Sequence, residues 1–110
     1  MPFEECLFVF PADEWEKIEE KLRSLTFTQS HHRLFIRILL SHASDAVLDR
    51  QGRITIPQNL LSLAKINKEV LIIGALQRIE IWDPEIYAER KERGTAMLHS
   101  ERGIDVFGGP

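Results

Sequence analysis

The sequence contains little of several features that mark common classes of protein. Its single cysteine, Cys6, excludes a disulfide within the chain and is typical of a reducing cytoplasm. No apolar run approaches the roughly 20 residues of a membrane helix, and no secretory signal is recognisable. An excess of positive charge is also missing, since the net charge is −3. A nucleic-acid site would therefore have to be a local basic surface whose affinity depends on several copies acting together.

The polar residues form no recognisable catalytic or metal-binding pattern. Carboxylates are spread over the outer faces of predicted helices, without a nucleophile–base pair or a glycine-rich phosphate loop. His31, His32 and His42 have no cysteine nearby, and adjacent histidines project to different sides of a helix. We therefore expect no enzyme, no cofactor, no metal and no small-molecule substrate.

The patterning that is present predicts a small α+β protein. With 110 residues, 44% hydrophobic and 28% charged, the chain has the composition of one globular domain or of two very small intertwined halves. Apolar runs and alternation predict strands at 6–10, 70–74 and 78–82. Helical spacing and capping residues predict helices at 11–25, 31–42, 57–64 and from Asp83 to about residue 93.

The centre of the chain, residues 47–57, reads as two short strands joined by a tight turn at Gly52. Asp49 and Arg53 flank the turn, so a sharp reversal brings the carboxylate towards the guanidinium. An arginine held in this way suits phosphate oxygens or guanine edges. The simpler interpretation is a surface ion pair that closes a hairpin, worth at most about 1 kcal/mol.

A strand–helix unit occurs twice in the chain. Equivalent residues are 72 positions apart, as in the strand-end pair Phe10 and Trp82 and the helix pair Trp15 and Tyr87. A first copy of the Asp49–Arg53 turn would fall before Met1. We therefore expect the first repeat to be incomplete, retaining only its last strand and its helix.

Several separate blocks resemble the MraZ family, within the wider AbrB/MazE-like swapped-hairpin transcription factors. They follow the family order: the strand before Pro11 with the Glu14-Trp15-Glu16 helix, Leu39-Leu40-Ser41-His42-Ala43-Ser44, Asp49-x-x-Gly52-Arg53 followed by Ile54-Thr55-Ile56-Pro57, Lys68-Glu69-Val70, Ile73-Gly74, and Arg78-Ile79-Glu80-Ile81-Trp82-Asp83. The sequence departs from the family at Leu61, where arginine is favoured, and at Lys65-Ile66, where Gly-Leu is usual. It also lacks the first of the two Asp-x-x-x-Arg motifs that MraZ proteins carry.

The resemblance implies a swapped-hairpin, AbrB- and MraZ-like small β-barrel with flanking helices and an incomplete first repeat. Residues 1–42 would be the remnant of the first repeat, 43–93 the complete second repeat, and 94–110 a flexible tail. Without its first hairpin, the strand at 7–10 lacks its expected partners. We expect it to pair across a subunit boundary and so to give an obligate homo-oligomer, ring-like as in the family.

The implied function is regulation of the transcription of division and cell-wall genes in the cytoplasm, on the nucleoid. Double-stranded DNA with tandem promoter repeats would be the partner. The implied DNA-binding residues are Asp49, Arg50, Gln51, Gly52 and Arg53. Arg53 would contact a base edge or phosphate, Asp49 would orient it, and Arg50 would add a phosphate contact.

Two other functions stay open. One is a truncated interaction module that binds no DNA and modulates a full-length relative, which the missing motif and the negative charge favour. The other is an AbrB-like antitoxin whose C-terminal tail binds a toxin. The tail is short and weakly amphipathic, so this ranks third.

Overall fold

The structure, a computed structural model, describes residues 5–25 and 28–101. Its elements are β1 (Cys6–Val9), α1 (Ala12–Arg23), α2 (Ser30–Ser41), α3 (Gln58–Leu63), β2 (Leu71–Ala75), β3 (Arg78–Trp82) and α4 (Pro84–Glu101). The predicted α+β class is confirmed as a three-stranded antiparallel sheet with four helices in this part of the chain. No helix found there is long and apolar enough to cross a membrane.

The last helix, α4, is longer than the apolar pattern predicts. The Asp83 carboxylate caps it by accepting hydrogen bonds from the backbone N–H groups of Glu85, at 3.2 Å, and Ile86, at 3.1 Å. The helix then passes through Gly94 and ends at Glu101. We expected a tail to begin at residue 94, but residues 94–101 are helical. The remainder of that tail lies outside the described residues.

The three strands form one open sheet in the order β1-β3-β2, with both pairings antiparallel. No closed barrel is formed by the strands in the described ranges. Our expectation that β1 lacks pairing partners within its own chain is wrong, because β3 of the same chain pairs with it from Cys6 opposite Trp82 to Val9 opposite Ile79. The backbone hydrogen bonds that β1 needs on this edge are therefore made within one chain. The other edge of β1 is the edge of the sheet, and pairing there with a second subunit stays a prediction.

The pairing of β1 with β3 relates the two repeated units by a local two-fold axis. Phe8 lies opposite Glu80, and these two residues are equivalent in the repeat. Each unit also places an aromatic ring of its helix against the aromatic residue at its strand end. The ring centroids are 5.9 Å apart for Phe10 and Trp15 and 5.3 Å apart for Trp82 and Tyr87. The repeat therefore extends from sequence to side-chain packing.

One face of the sheet carries the core that positions the central turn. Leu7 and Ile81 lie directly opposite each other on β1 and β3 and are buried together with Ala64 and Ile66, which follow α3. The residues that pack around this cluster are Val9, Ile56, Leu60 and Leu61. Because Ile56 belongs to the segment that leaves the central turn, core packing fixes one end of that turn to the sheet.

The end of α3 shows why glycine is usual in the family at the position that Lys65 occupies here. The N–H of Ile66 donates to the carbonyl oxygen of Leu61 at 2.9 Å, and that of Lys65 donates to Ser62 at 3.1 Å. These two bonds form a Schellman motif, which places its C′ residue in the left-handed region. Lys65 occupies that position with φ of 57°. A side chain with a Cβ is disfavoured there, which is why glycine is common at such positions.

Replacing Lys65 by glycine is expected to raise the free energy of unfolding by about 0.5–1 kcal/mol, because relief of left-handed strain exceeds the added entropy of the unfolded chain. Urea unfolding at equilibrium measures this as a higher midpoint with an unchanged slope. Lys65→Ala is the matched control, since it removes the charge but keeps the Cβ. An equal gain from alanine would show that the charge, and not the backbone, is responsible.

Candidate nucleic-acid interface

A four-residue turn, Asp49 to Gly52, lies at the centre of the candidate site. The N–H of Gly52 donates to the carbonyl oxygen of Asp49 at 3.0 Å, and the N–H of Asp49 donates to the carbonyl oxygen of Arg53 at 2.8 Å. The predicted reversal of the chain is therefore present. It brings all five predicted site residues, Asp49 to Arg53, into one exposed turn.

The Asp49 carboxylate organises both the backbone and the guanidinium of this turn. Its Oδ1 accepts hydrogen bonds from the backbone N–H groups of Gln51 and Arg53, each at 2.8 Å. Its Oδ2 accepts from Nε of Arg53 at 3.1 Å. The sequence predicts the contact with the guanidinium but not the two backbone bonds. An aspartate at the first position of a turn is the signal for such bonds, since its side chain commonly caps the following N–H groups.

Gly52 is required by the backbone conformation of the turn. Its φ is 76°, in the left-handed region. A Cβ at this position would meet no atom within 4 Å among the described residues. The glycine therefore serves the left-handed geometry of the turn and not a close approach of neighbouring atoms.

Arg53 is held at one end and open at the other. Its side chain is 72% exposed, although Nε is bound to Asp49. Its two terminal nitrogens have no acceptor within the described part of the chain. Because both project from a single planar group whose orientation Asp49 restricts, they form a two-pronged donor that matches a phosphate or the O6 and N7 atoms of guanine.

Hydrogen bonding holds the pKa of Asp49 below its ordinary value of 3.8. The backbone N–H of Arg53 has the largest effect, burial opposes it, and the N–H of Gln51 and the Arg53 side chain lower the pKa further. The carboxylate is therefore fully charged, and able to accept from Arg53, throughout the neutral pH range.

The segments on either side of the turn differ from the prediction. Residues 43–49 and 53–57 form no strand ladder with any described residue. Val47 and Leu48 are consequently 85% and 66% exposed. The other polar members of the turn, Arg50 and Gln51, are also exposed. The turn is thus exposed, and the core contacts of Ile56 tie the segment that follows it to the sheet.

The histidines bring together no set of metal ligands. The rings of His31 and His32 lie 4.3 Å apart, and Nδ1 of His42 lies 2.9 Å from the carbonyl oxygen of Ile38. Among the residues described, no group of three or more His, Cys, Asp or Glu side chains is placed to hold a metal ion. The exposed turn is the site that the geometry supports.

A protein-family model described as "MraZ protein, putative antitoxin-like" matches residues 39–106, which include the turn. Proteins named "Transcriptional regulator MraZ" are similar over most of the chain. The relative from Clostridium acetobutylicum is 46% identical over 92 residues, which are 84% of this chain and 65% of the relative. That from Natranaerobius thermophilus is 49% identical over 95 residues, 86% of this chain and 66% of the relative.

One further relative aligns with nearly the whole of this chain. The relative from Desulforamulus reducens is 45% identical over 104 residues, which are 93% of this chain and 73% of that protein. The chain spans less of the relatives from Clostridium acetobutylicum and from two strains of Desulfitobacterium hafniense, between 58% and 65% of their length. The family model and these relatives agree, and the chain belongs to the MraZ family.

Proposed function

We propose that this protein is a DNA-binding transcriptional regulator that reads tandem promoter repeats through the Asp49–Arg53 turn. Its relatives are named transcriptional regulators, and the matched region contains the turn. Arg53 contacts a base edge, Asp49 orients it, and Arg50 adds a phosphate contact. Gln51 and Gly52 shape the tip that approaches the duplex. In this proposal the protein acts in the cytoplasm, on the nucleoid, and controls division and cell-wall genes, as the family resemblance implies.

One observation carries this proposal: an exposed guanidinium is held by a carboxylate at the tip of a turn. A salt bridge that served only the hairpin would gain nothing from leaving two terminal nitrogens of Arg53 open to solvent. A surface pair of this kind contributes at most about 1 kcal/mol to stability. The same pair is better suited to recognition, because the entropy of orienting the arginine is lost before DNA arrives.

A homo-oligomer, ring-like as the family resemblance implies, would present several turns along one face of the duplex. One turn makes too few contacts for specificity, while repeated turns on repeated half-sites multiply weak binding. The apolar surface supports subunit contacts. Val47 and Leu48 are largely exposed, and Ile79 is 44% exposed although its repeat equivalent, Leu7, is only 5% exposed. A second subunit would cover these side chains.

Fluorescence anisotropy tests the proposal with two labelled duplexes, one carrying tandem G-rich repeats and the other a scrambled sequence. We expect the wild-type protein to prefer the repeats and to bind more weakly as the salt concentration rises. Arg53→Ala is expected to weaken binding to the repeats by about tenfold or more, because a bidentate arginine–guanine contact is worth about 1–3 kcal/mol. Binding to the scrambled duplex should change much less.

Arg93→Ala is the matched control for Arg53→Ala. The two side chains are about equally exposed, Arg53 at 72% and Arg93 at 68%. Each is paired with a carboxylate four residues before it, Asp49 for Arg53 and Glu89 for Arg93. Light scattering on the same samples should give a mass that is a multiple of the 12.7 kDa of one chain. If Arg53→Ala and Arg93→Ala change the affinity for the repeat duplex equally, the proposed role of Arg53 in reading DNA is contradicted. A folded monomer in light scattering would contradict the proposed assembly.

The runner-up function is an interaction module that binds no DNA. The net charge of −3 and the exposure of Val47 and Leu48 favour it, since both suit a protein partner better than a phosphate backbone. Negligible binding to both duplexes by the wild-type protein and by Arg53→Ala would establish this alternative. The partner would then be a full-length relative, which co-purification of the two chains would detect.

A further inference from the structure

One helix of this acidic protein, α2, carries basic residues and no acidic ones. No Asp or Glu occurs between Glu20 and Asp45, and α2 lies wholly within this stretch. The charged side chains of α2 are Arg33 and Arg37, whereas α1 carries Asp13, Glu14, Glu16, Glu19 and Glu20. An acid-free helix in a chain with a net charge of −3 has a local field opposite in sign to that of the whole protein.

The two arginines lie on one side of α2, with Arg33 partly buried and Arg37 exposed. They are four residues apart, which places them on the same side of a helix about 6 Å from one another along its axis. Leu39, which is buried, projects from the opposite side. Arg37 is exposed and forms no ion pair with any residue in the described ranges. Its charge is therefore available to an external anion.

This basic surface is close to the Asp49–Arg53 turn along the chain. The last residue of α2, Ser41, precedes Asp49 by eight residues, which span at most about 29 Å when fully extended. One turn of DNA is about 34 Å long. A single chain can consequently place α2 and the turn on neighbouring parts of one duplex.

We propose that the exposed side of α2, through Arg37, binds a phosphate of the same duplex that the Asp49–Arg53 turn reads. This inference rests on the proposed function and assigns different contributions to binding to the turn and to α2. The turn distinguishes sequences, while α2 contributes affinity and orientation that do not depend on sequence. It also explains how a protein with a net charge of −3 can approach DNA, since α2 carries no acidic residue.

The test measures binding of Arg37→Ala to the repeat and scrambled duplexes over a range of salt concentrations. We expect both affinities to fall by the same factor, between about 2- and 10-fold, so that the preference for repeats is kept. The slope of log affinity against log salt concentration should decrease by about one for each subunit bound to DNA. Arg37→Lys keeps the charge and should restore most of both quantities.

Three comparisons make the outcome decisive. Alanine is a strong helix former, and circular dichroism verifies that Arg37→Ala keeps the wild-type helix content. If Arg37→Ala matches the Arg93→Ala control while Arg53→Ala loses the repeat preference, the inference about α2 is overturned and the proposed function stands. If Arg53→Ala also matches the control, the proposed function itself fails, and the inference fails with it.

A protein partner is the competing occupant of this surface. Leu34 and Leu40 are 55% and 45% exposed on the same side of α2 as Arg37, and a protein would bury them. In that case Arg37→Ala would lower the mass of the assembly in light scattering and leave the salt dependence per subunit unchanged. That result would overturn the assignment of α2 to DNA.

Discussion

Replacing Trp82 by alanine is expected to lower the free energy of unfolding by about 3–5 kcal/mol. Trp82 is 5% exposed at the end of β3, between Cys6 on β1 and Leu71 on β2. Its Nε1 donates to Oε1 of Glu80 at 3.0 Å. Truncation removes the packing of a large ring, leaves a cavity and takes a donor away from Glu80, whose other oxygen remains bound to Arg78.

Trp15→Ala provides the comparison for this prediction. Trp15 is the other tryptophan of the chain, and its ring also contacts an aromatic residue, but it is only partly buried. We expect it to lose clearly less stability, as measured by chemical unfolding. Because a loss of about 3–5 kcal/mol is a large part of the total stability of a small domain, Trp82→Phe is needed as a milder variant that should stay folded. Equal losses from Trp15→Ala and Trp82→Ala would show that β3 is not the centre of the packing.

Local periodicity accounts for most of the elements, while the pairing of strands depends on information that lies far apart in the chain. The apolar patterns around Val9 and Ile81 predict two strands, but neither pattern indicates that the strands pair with each other. The repeat contained this information. Two equivalent strands can pair about a two-fold axis, and the register centred on Phe8 and Glu80 is such a pairing. The incomplete first repeat that we expect from the sequence predicts a strand without a partner, whereas the second unit pairs with one edge of β1.

The central segment and the last helix were predicted less well, for different reasons. Alternation around Val47 and Ile54 predicts strands, yet a strand ladder requires a second backbone, and none of the described residues supplies it. In α4 the residues beyond Gly94 do not gather their apolar side chains on one side, so the periodic signal fades there. Ala96, Met97 and Leu98 are nevertheless strong helix formers, and intrinsic propensity sustains the helix to Glu101.

The geometry of the turn could be predicted because it depends on a few neighbouring residues. Gly52 permits the reversal, and Asp49 and Arg53 meet through it. The exposure of Arg53 could not be predicted in this way, since it depends on the core contacts of Ile56 and on the absence of a covering element among the described residues. The contact with DNA remains a prediction for all five residues of the turn.

Substitution of Asp49 is expected to separate the two tasks of its carboxylate. An asparagine side chain would keep an oxygen for the N–H groups of Gln51 and Arg53 but would lose the acceptor for Nε of Arg53, whereas alanine removes all three bonds. We therefore expect Asp49→Asn to reduce the preference for repeats over scrambled DNA by about 3- to 10-fold and Asp49→Ala by about 10-fold or more. Both changes remove a negative charge, so binding to scrambled DNA should become slightly stronger.

The pH dependence gives an independent check on the same carboxylate. Because the pKa of Asp49 is lowered in the folded turn, its contribution is fully present above the ordinary value of 3.8 and is lost as the pH falls through the lowered value. Between about pH 5 and 8, well above that value, the charge of Asp49 does not change. The pH dependence of DNA binding in this range should therefore be the same for the wild-type protein and for Asp49→Asn.

A carbon-detected NMR titration should find the midpoint of the Asp49 carboxyl below 3.8 in wild type and closer to 3.8 in Arg53→Ala. The remaining shift in Arg53→Ala reflects the two backbone bonds against the opposing effect of burial, since the N–H at this position survives the substitution. A midpoint at or above 3.8 in wild type would mean that the carboxylate is not held by the turn, and the preorganised arginine on which recognition depends would then have no basis.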